Sequence, residues 1–171
     1  MVIRDAYPAE LVEIGELRLA AYRADGLLAP DSAYAPRLRD LGSDGLGAVL
    51  VAVDSDGGRP LGTVMLQSWP NAGQVVQGAD EGEIRALAVR PEARGAGVGQ
   101  ALLAAVIARA VREGIRHLLL CTQPEMKVAQ HLYEQAGFVR VPERDWSPEP
   151  ADPLLAYALL VGVGEAGQRA G

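Results

Sequence analysis

The stretch "AVRPEARGAGVGQALLAAVIARA" occupies residues 88–110. The apolar end of a strand-like run gives way to a basic loop holding Gly95, Gly97 and Gly99, and an alanine-rich segment follows. Glycine disfavours helix, so three of them at the threshold of a long helix demand a reason. One reason is a tight turn. Another is a ligand lying against bare backbone. Amides at a helix N-terminus are unsatisfied and carry partial positive charge, glycines let an anion approach them closely, and Arg94 adds a full charge. Two phosphate-site readings fail on the residues. A P-loop needs Lys-Ser/Thr after its last glycine, and Gln100-Ala101 stand there. A dinucleotide fingerprint needs G-x-G-x-x-G and an acid at the tip of the next strand, and the chain has G-A-G-V-G and Thr122-Gln123. A turn and a different phosphate ligand both stay open.

Outward from that loop, period and punctuation mark the elements. "EIRALAVR" (83–90) reads as the strand entering it, and the helix leaving it is expected over 98–113, with Leu102, Leu103, Val106, Ile107, Ala110 and Val111 as its apolar stripe. Gly114 sits where a left-handed cap belongs. "HLLLC" (117–121) is a buried strand, 125–136 a second helix ended by Gly137, and "FVRV" and "LLAYALLV" two final strands. Upstream, "VIRDA" (2–6) is a first strand and Pro8 opens an amphipathic helix stopped near Gly26. A short helix is expected at 33–40, then strands at 48–54 and 60–69 joined by "SDGG", then a loop over 70–82. The expectation is a mixed α/β fold, with residues 1–161 as a single domain and a frayed tail over 162–171.

Composition narrows the function. A chain of 171 residues with 49% hydrophobic and 22% charged residues is that of a globular protein. No apolar run reaches the ~20 residues of a membrane span, and no secretory leader is visible, so a cytoplasmic protein is expected. Net charge is −6, which argues against a nucleic-acid partner. Cys121 is the one cysteine and His117 and His131 the two histidines. That set gives no metal-site spacing, and no metal is expected. No histidine is placed to activate Cys121, so it reads as an inert core thiol rather than an acyl-carrying nucleophile.

"EIRALAVRPEARGAGVGQALL" resembles the acyl-CoA-binding motif of the GNAT superfamily of N-acyltransferases, Arg/Gln-x-x-Gly-x-Gly/Ala, with Arg94, Gly97 and Gly99 in its three positions. "AQHLYEQAGF" resembles that family's second motif, a helical tyrosine before Gly-Phe, met by Tyr133, Gly137 and Phe138. The resemblance covers about residues 83–138 by motif and the remainder by element order. It implies a mostly antiparallel central sheet flanked by helices, with two splayed parallel strands forming the acyl-CoA cleft.

It also implies an acetyl-CoA-dependent N-acetyltransferase working by direct attack of an amine on the thioester. The alternative is a catalytically silent acyl-CoA-binding domain. The backbone of Arg94, Gly95, Ala96, Gly97, Val98 and Gly99 would cradle the pyrophosphate, and Leu87, Ala88 and Val89 would pair with the pantetheine arm. Tyr133 would protonate the departing thiolate, and Glu83, with Glu81 as fallback, would take the amine proton. The acceptor, a small-molecule or peptide amine, would be walled by residues 22–38 and 142–153. Tyr22, Leu27, Leu28 and Tyr34 come from the first segment, and Glu143, Asp145, Trp146 and Glu149 from the second. Trp146 reads equally as a lid on the core. Met126 stands where many relatives have asparagine, which puts the details of that pocket in doubt. A monomer or a homodimer is expected.

Overall fold

The structure is a computed structural model, and it describes residues 1–55, 57–73, 75–148 and 152–162. The expected tail from 163 onward, and Glu149, lie outside the described residues. The described residues form seven strands and four α-helices, in the order β1 (Val2–Asp5), α1 (Leu11–Ala24), α2 (Ala35–Asp40), β2 (Ala48–Val53), β3 (Pro60–Ser68), β4 (Glu81–Val89), α3 (Val98–Arg112), β5 (His117–Thr122), α4 (Lys127–Gln135), β6 (Val139–Arg140) and β7 (Leu155–Leu160). The strands follow the order β1-β2-β3-β4-β5-β7-β6 in a mostly antiparallel sheet. Only β4 and β5 run parallel among the described pairs, as a strand–helix–strand crossover requires.

The element order matches the sequence reading, while most bounds shift by one to three residues. β4 starts at Glu81 rather than 83, because Glu81 pairs with His117 of β5. α4 starts at Lys127 rather than 125. The "FVRV" strand shrinks to the two residues of β6, cut short by a single 3-10 turn over Pro142–Arg144.

The chain divides into two compact units. The first comprises Met1–Gln67 and Ile84–Val106, and the second comprises Ser68–Glu83 and the chain from Ile107 onward. In the first, Ile14 of α1 packs on Val49, Val51 and Val53 of β2 and Met65 of β3. A second cluster joins Leu17, Ala21 and Ala88, and a third joins Leu19, Leu28 and Leu38, with Tyr22 packed against both. Each such aliphatic side chain taken fully from water contributes about 1.5–3 kcal/mol. Ahead of α1, Glu10 accepts the Tyr7 N–H at 2.8 Å and is gripped through both oxygens by Arg4, which fixes the helix start. In the second unit, Val75, Val76, Leu119 and Ala156 form the core, with Cys121 and Val141 against it.

Gly62 of β3 explains how α3 reaches the sheet of the first unit. A Cβ there would lie 2.9 Å from the Ala88 carbonyl oxygen, 2.9 Å from Leu102 Cδ1 and 3.0 Å from Val98 Cγ1. The bare backbone lets the first turns of α3 sit directly on β3 and β4. That contact sets the position of the glycine loop.

Candidate active site

The loop leaves β4 at Arg90, which is 8% exposed. Its N–H bonds the Leu61 carbonyl at 2.8 Å, its Nε donates to the Pro60 carbonyl, and its Nη2 donates to Glu13 at 2.9 Å. Those bonds tie the loop's root to β3 and α1. A single 3-10 turn, Pro91–Ala93, follows. Gly95 and Gly97 then take φ of 79° and 77°, a left-handed geometry that side-chain-bearing residues resist. Nothing lies within 4 Å of a Cβ built on either one. Gly97 caps α3, since its carbonyl accepts the Ala101 N–H at 3.0 Å. The N–H groups of Val98, Gly99 and Gln100 therefore have no acceptor within the helix. Open space over left-handed glycines, next to free helix amides, fits an anionic ligand.

Arg94 is not idle in that loop. Its Nη1 and Nη2 reach the two oxygens of Asp25 at 2.7 and 3.1 Å, and Nη2 also approaches the Ala21 carbonyl at 3.4 Å. Sequence reading placed Arg94 and missed Asp25, which is the C-cap of α1 and lies 69 positions away.

Leu87, Ala88 and Val89 end β4. The register of β4 with β5 runs from Glu81↔His117 to Glu83↔Leu119 and stops, although β4 continues to Val89. Just past that point Ala86 has φ of 51°. A left-handed non-glycine residue inside a strand is uncommon and costs of order 1–3 kcal/mol. Alanine there carries no sequence signal for that geometry, so sequence reasoning missed it. Within the first unit the structure brings together Tyr22, Leu28, Ala86 and Ala88 through the two helix-borne clusters. Tyr34 is 40% exposed at the start of α2.

The second unit carries the other predicted residues. Glu83 is 7% exposed, and its Oε2 accepts the Gly73 N–H at 2.8 Å. Glu81 is also buried, but it is engaged. Arg144 donates to its two oxygens at 2.6 and 3.2 Å, and the Gln77 N–H donates at 2.7 Å. Burial pushes its pKa up, yet those hydrogen bonds outweigh burial and hold it below the ordinary value. A carboxylate so stabilised is a poorer proton acceptor, which disfavours Glu81 as the fallback base.

Tyr133, 6% exposed, packs edge-to-face on Phe138 with ring centroids 6.0 Å apart. Gly137, at φ 96°, turns the chain so that the Phe138 N–H bonds the Tyr133 carbonyl at 3.0 Å. Burial drives the Tyr133 pKa far up, so its hydroxyl stays protonated at neutral pH. Met126 precedes the first turn of α4 with no side-chain cap. Gln130 anchors the loop instead, donating to the Gln123 and Pro124 carbonyls at 2.9 and 3.2 Å.

Of the carboxylates expected beside Trp146, Asp145 is already engaged, while Glu143 is exposed. Asp145 is gripped by Arg140 at 2.7 and 2.8 Å and also accepts the Ala156 N–H at 2.7 Å. Trp146 bridges to Leu154, and its indole nitrogen is buried without a hydrogen-bond partner among the described residues. Burial pushes the Cys121 thiol up to about 11, the nearby Glu83 charge adds to this, and the indole opposes it without a bond of ordinary geometry. A thiol held protonated is a weak nucleophile. Among the described residues no group of three or more His, Cys, Asp or Glu could hold a metal ion.

A family model described as the acetyltransferase (GNAT) family matches residues 11–138. The chain belongs to that family. The Mycothiol acetyltransferase of Cellulomonas flavigena is 37% identical over 109 residues, covering 62% of this chain and 31% of that protein. The chain thus spans about a third of the length of the curated relatives it matches. Among solved structures, a GNAT-family acetyltransferase of Staphylococcus aureus superposes with a TM-score of 0.74 at 18% identity, covering 94% of this chain and 99% of that one. A Salmonella typhimurium protein solved with its cofactor acetyl-CoA gives 0.68 at 21% identity, covering 99% of each. These two likenesses establish the fold. The GNAT fold accounts for the parallel β4–β5 pair and for the glycine loop between β4 and α3.

Proposed function

We propose that this chain is an acetyl-CoA-dependent N-acetyltransferase, with residues 1–161 as its functional domain. The observation that carries the reading is the loop Arg94–Gly97, where Gly95 and Gly97 leave open space beside the free amides of α3. There the CoA pyrophosphate is held by the backbone of residues 94–99, and the pantetheine arm lies along Leu87–Val89.

The amine nitrogen attacks the thioester carbonyl, the N–C bond forms and the C–S bond breaks. Glu83 takes the amine proton, directly or through water, and Tyr133 gives a proton or hydrogen bond to the CoA thiolate. The carboxylate position fixed by the Gly73 N–H and the protonated state of Tyr133 support these roles. Cys121 takes no covalent part. The acceptor is a small-molecule or peptide amine. The acidic composition supports neither a nucleic-acid partner nor an anionic membrane, and no described helix is long and apolar enough to cross a bilayer. We read the protein as cytoplasmic and as a monomer or homodimer.

Titration calorimetry with acetyl-CoA, CoA and ATP, followed by a thiol-release assay over an amine panel, tests this. Acetyl-CoA and CoA bind, ATP does not, and thiol release depends on an amine. Binding without release for every amine makes the chain a silent acyl-CoA-binding domain. Failure to bind acetyl-CoA removes both readings.

A further inference from the structure

Arg18, in the middle of α1, is fully buried at 0% exposure. Its Nη1 donates to the Leu41 carbonyl at 2.6 Å and approaches the Leu38 carbonyl at 3.4 Å. Its Nε and Nη2 are buried and have no hydrogen-bond partner among the described residues. Those two groups form one edge of the guanidinium plane, the fork that grips a carboxylate through both oxygens.

Among the described residues, the ionisable groups that bear on Arg18 are Tyr22, Tyr34 and Arg85, and none is a carboxylate. Burial pulls the Arg18 pKa down to about 10, so the charge persists at neutral pH. Arg85 donates to Gln67 at 3.1 Å and adds a second positive charge to the neighbourhood. A buried cation without a counter-ion is costly, and buried donors are rarely left unpaired. Water can accept the two N–H bonds but brings no charge. A carboxylate supplies two coplanar oxygens for two coplanar N–H groups, and one negative charge for one positive.

Arg18 shares α1 with Tyr22, a residue of the expected acceptor pocket. Tyr22, one helical turn beyond Arg18, packs against Ala88 and shares a cluster with Ala86. Ala88 belongs to the part of β4 assigned to the acyl donor, and Ala86 lies just before it. Tyr34, whose hydroxyl bears on the Arg18 charge, is 40% exposed at the start of α2.

We propose that Arg18 recognises a carboxylate on the acetyl acceptor, so that the acceptor is an amino acid or another amine bearing a carboxylate. The proposal rests on the acetyltransferase reading above.

Two measurements on the full chain test it. In spectra of protein labelled with 15N at arginine Nε, the Arg18 Nε–H signal is assigned through bonds and followed during titration with N-acetylamino acids and their matching carboxamides. The carboxylates shift that signal saturably and the amides do not. In turnover, amino acids exceed their amides in kcat/KM by about tenfold or more, and Arg18→Lys, which lacks the planar fork, loses that preference at unchanged acetyl-CoA affinity. The proposal is overturned if no carboxylate moves the Arg18 signal, or if amides are acetylated as well as amino acids. If carboxylates move the signal and no amine is acetylated, the anion site stands and the acetyltransferase reading fails.

Discussion

Both oxygens of Asp25 are held by the guanidinium of Arg94, at 2.7 and 3.1 Å. Asp25 caps the C-terminus of α1, where a carboxylate faces the negative end of the helix dipole. Arg94 offsets that placement, and in return the arginine is drawn toward α1. If Arg94 serves the CoA pyrophosphate, Asp25 competes with the ligand for it. Both side chains are more than 40% exposed, so the pair is worth at most about 1 kcal/mol. Asp25→Asn is therefore expected to tighten acetyl-CoA binding by up to about fivefold. Calorimetry reads this directly. Weaker binding by the variant would mean that Asp25 positions Arg94 rather than competing for it.

Gly62→Ala tests how the loop is held. The new methyl would meet the Ala88 carbonyl oxygen and the side chains of Leu102 and Val98 at 2.9–3.0 Å. The oxygen is backbone and cannot rotate away, so α3 or β4 must shift. A loss of about 1–3 kcal/mol in stability is expected, with weaker acetyl-CoA binding because the loop moves with α3. Urea denaturation and calorimetry on the same variant check both parts. A variant as stable as the parent would show that α3 is not seated where it is described.

Much of this was readable in the residues, for physical reasons. Periodicity and glycine punctuation located every strand and α-helix, because buried faces and left-handed caps such as Gly114 and Gly137 are written locally. The glycine loop was readable because only glycine tolerates the φ of positions 95 and 97. Other features depend on partners distant in the chain. Glu81 looked like a spare base until Arg144, 63 positions away, appeared on its carboxylate. Nothing local in the sequence marks Arg18 of α1 as a buried charge. Ala86 has no local signal for a left-handed strand position. The start of α4 was misjudged because Met126, which supplies no cap, reads like any other helix residue.

The Glu81–Arg144 pair predicts a pH dependence. The folded Glu81 pKa lies below the ordinary 4.5. Its contribution to stability is therefore complete above the unfolded value and fades as pH falls through the folded one. Arg144 also donates to the Val75 carbonyl at 2.6 Å. Arg144→Met leaves a buried carboxylate without its partner, at a cost of about 3 kcal/mol near neutral pH. In the variant, burial acts unopposed by Arg144 and favours the protonated acid. The gap in urea midpoint between parent and variant should narrow as pH falls toward and below the ordinary carboxylate value of 4.5. A gap independent of pH would assign the loss to the Val75 bond alone.

Tyr133→Phe separates packing from chemistry. The ring sits edge-on to Phe138 in a buried site, and phenylalanine keeps that contact, so the fold and acetyl-CoA affinity should change little. The hydroxyl, kept protonated by burial, is proposed to meet the thiolate only as the C–S bond breaks. Its removal should lower kcat and kcat/KM together, by about 10²–10⁴-fold, the usual worth of a positioned acid. The drop should persist with substrates that contact the enzyme differently, since every acceptor expels the same thiolate. Steady-state kinetics with two unrelated amines, beside calorimetry with acetyl-CoA, settles the matter. Unchanged kcat would remove Tyr133 from the mechanism and leave it as a core residue paired with Phe138.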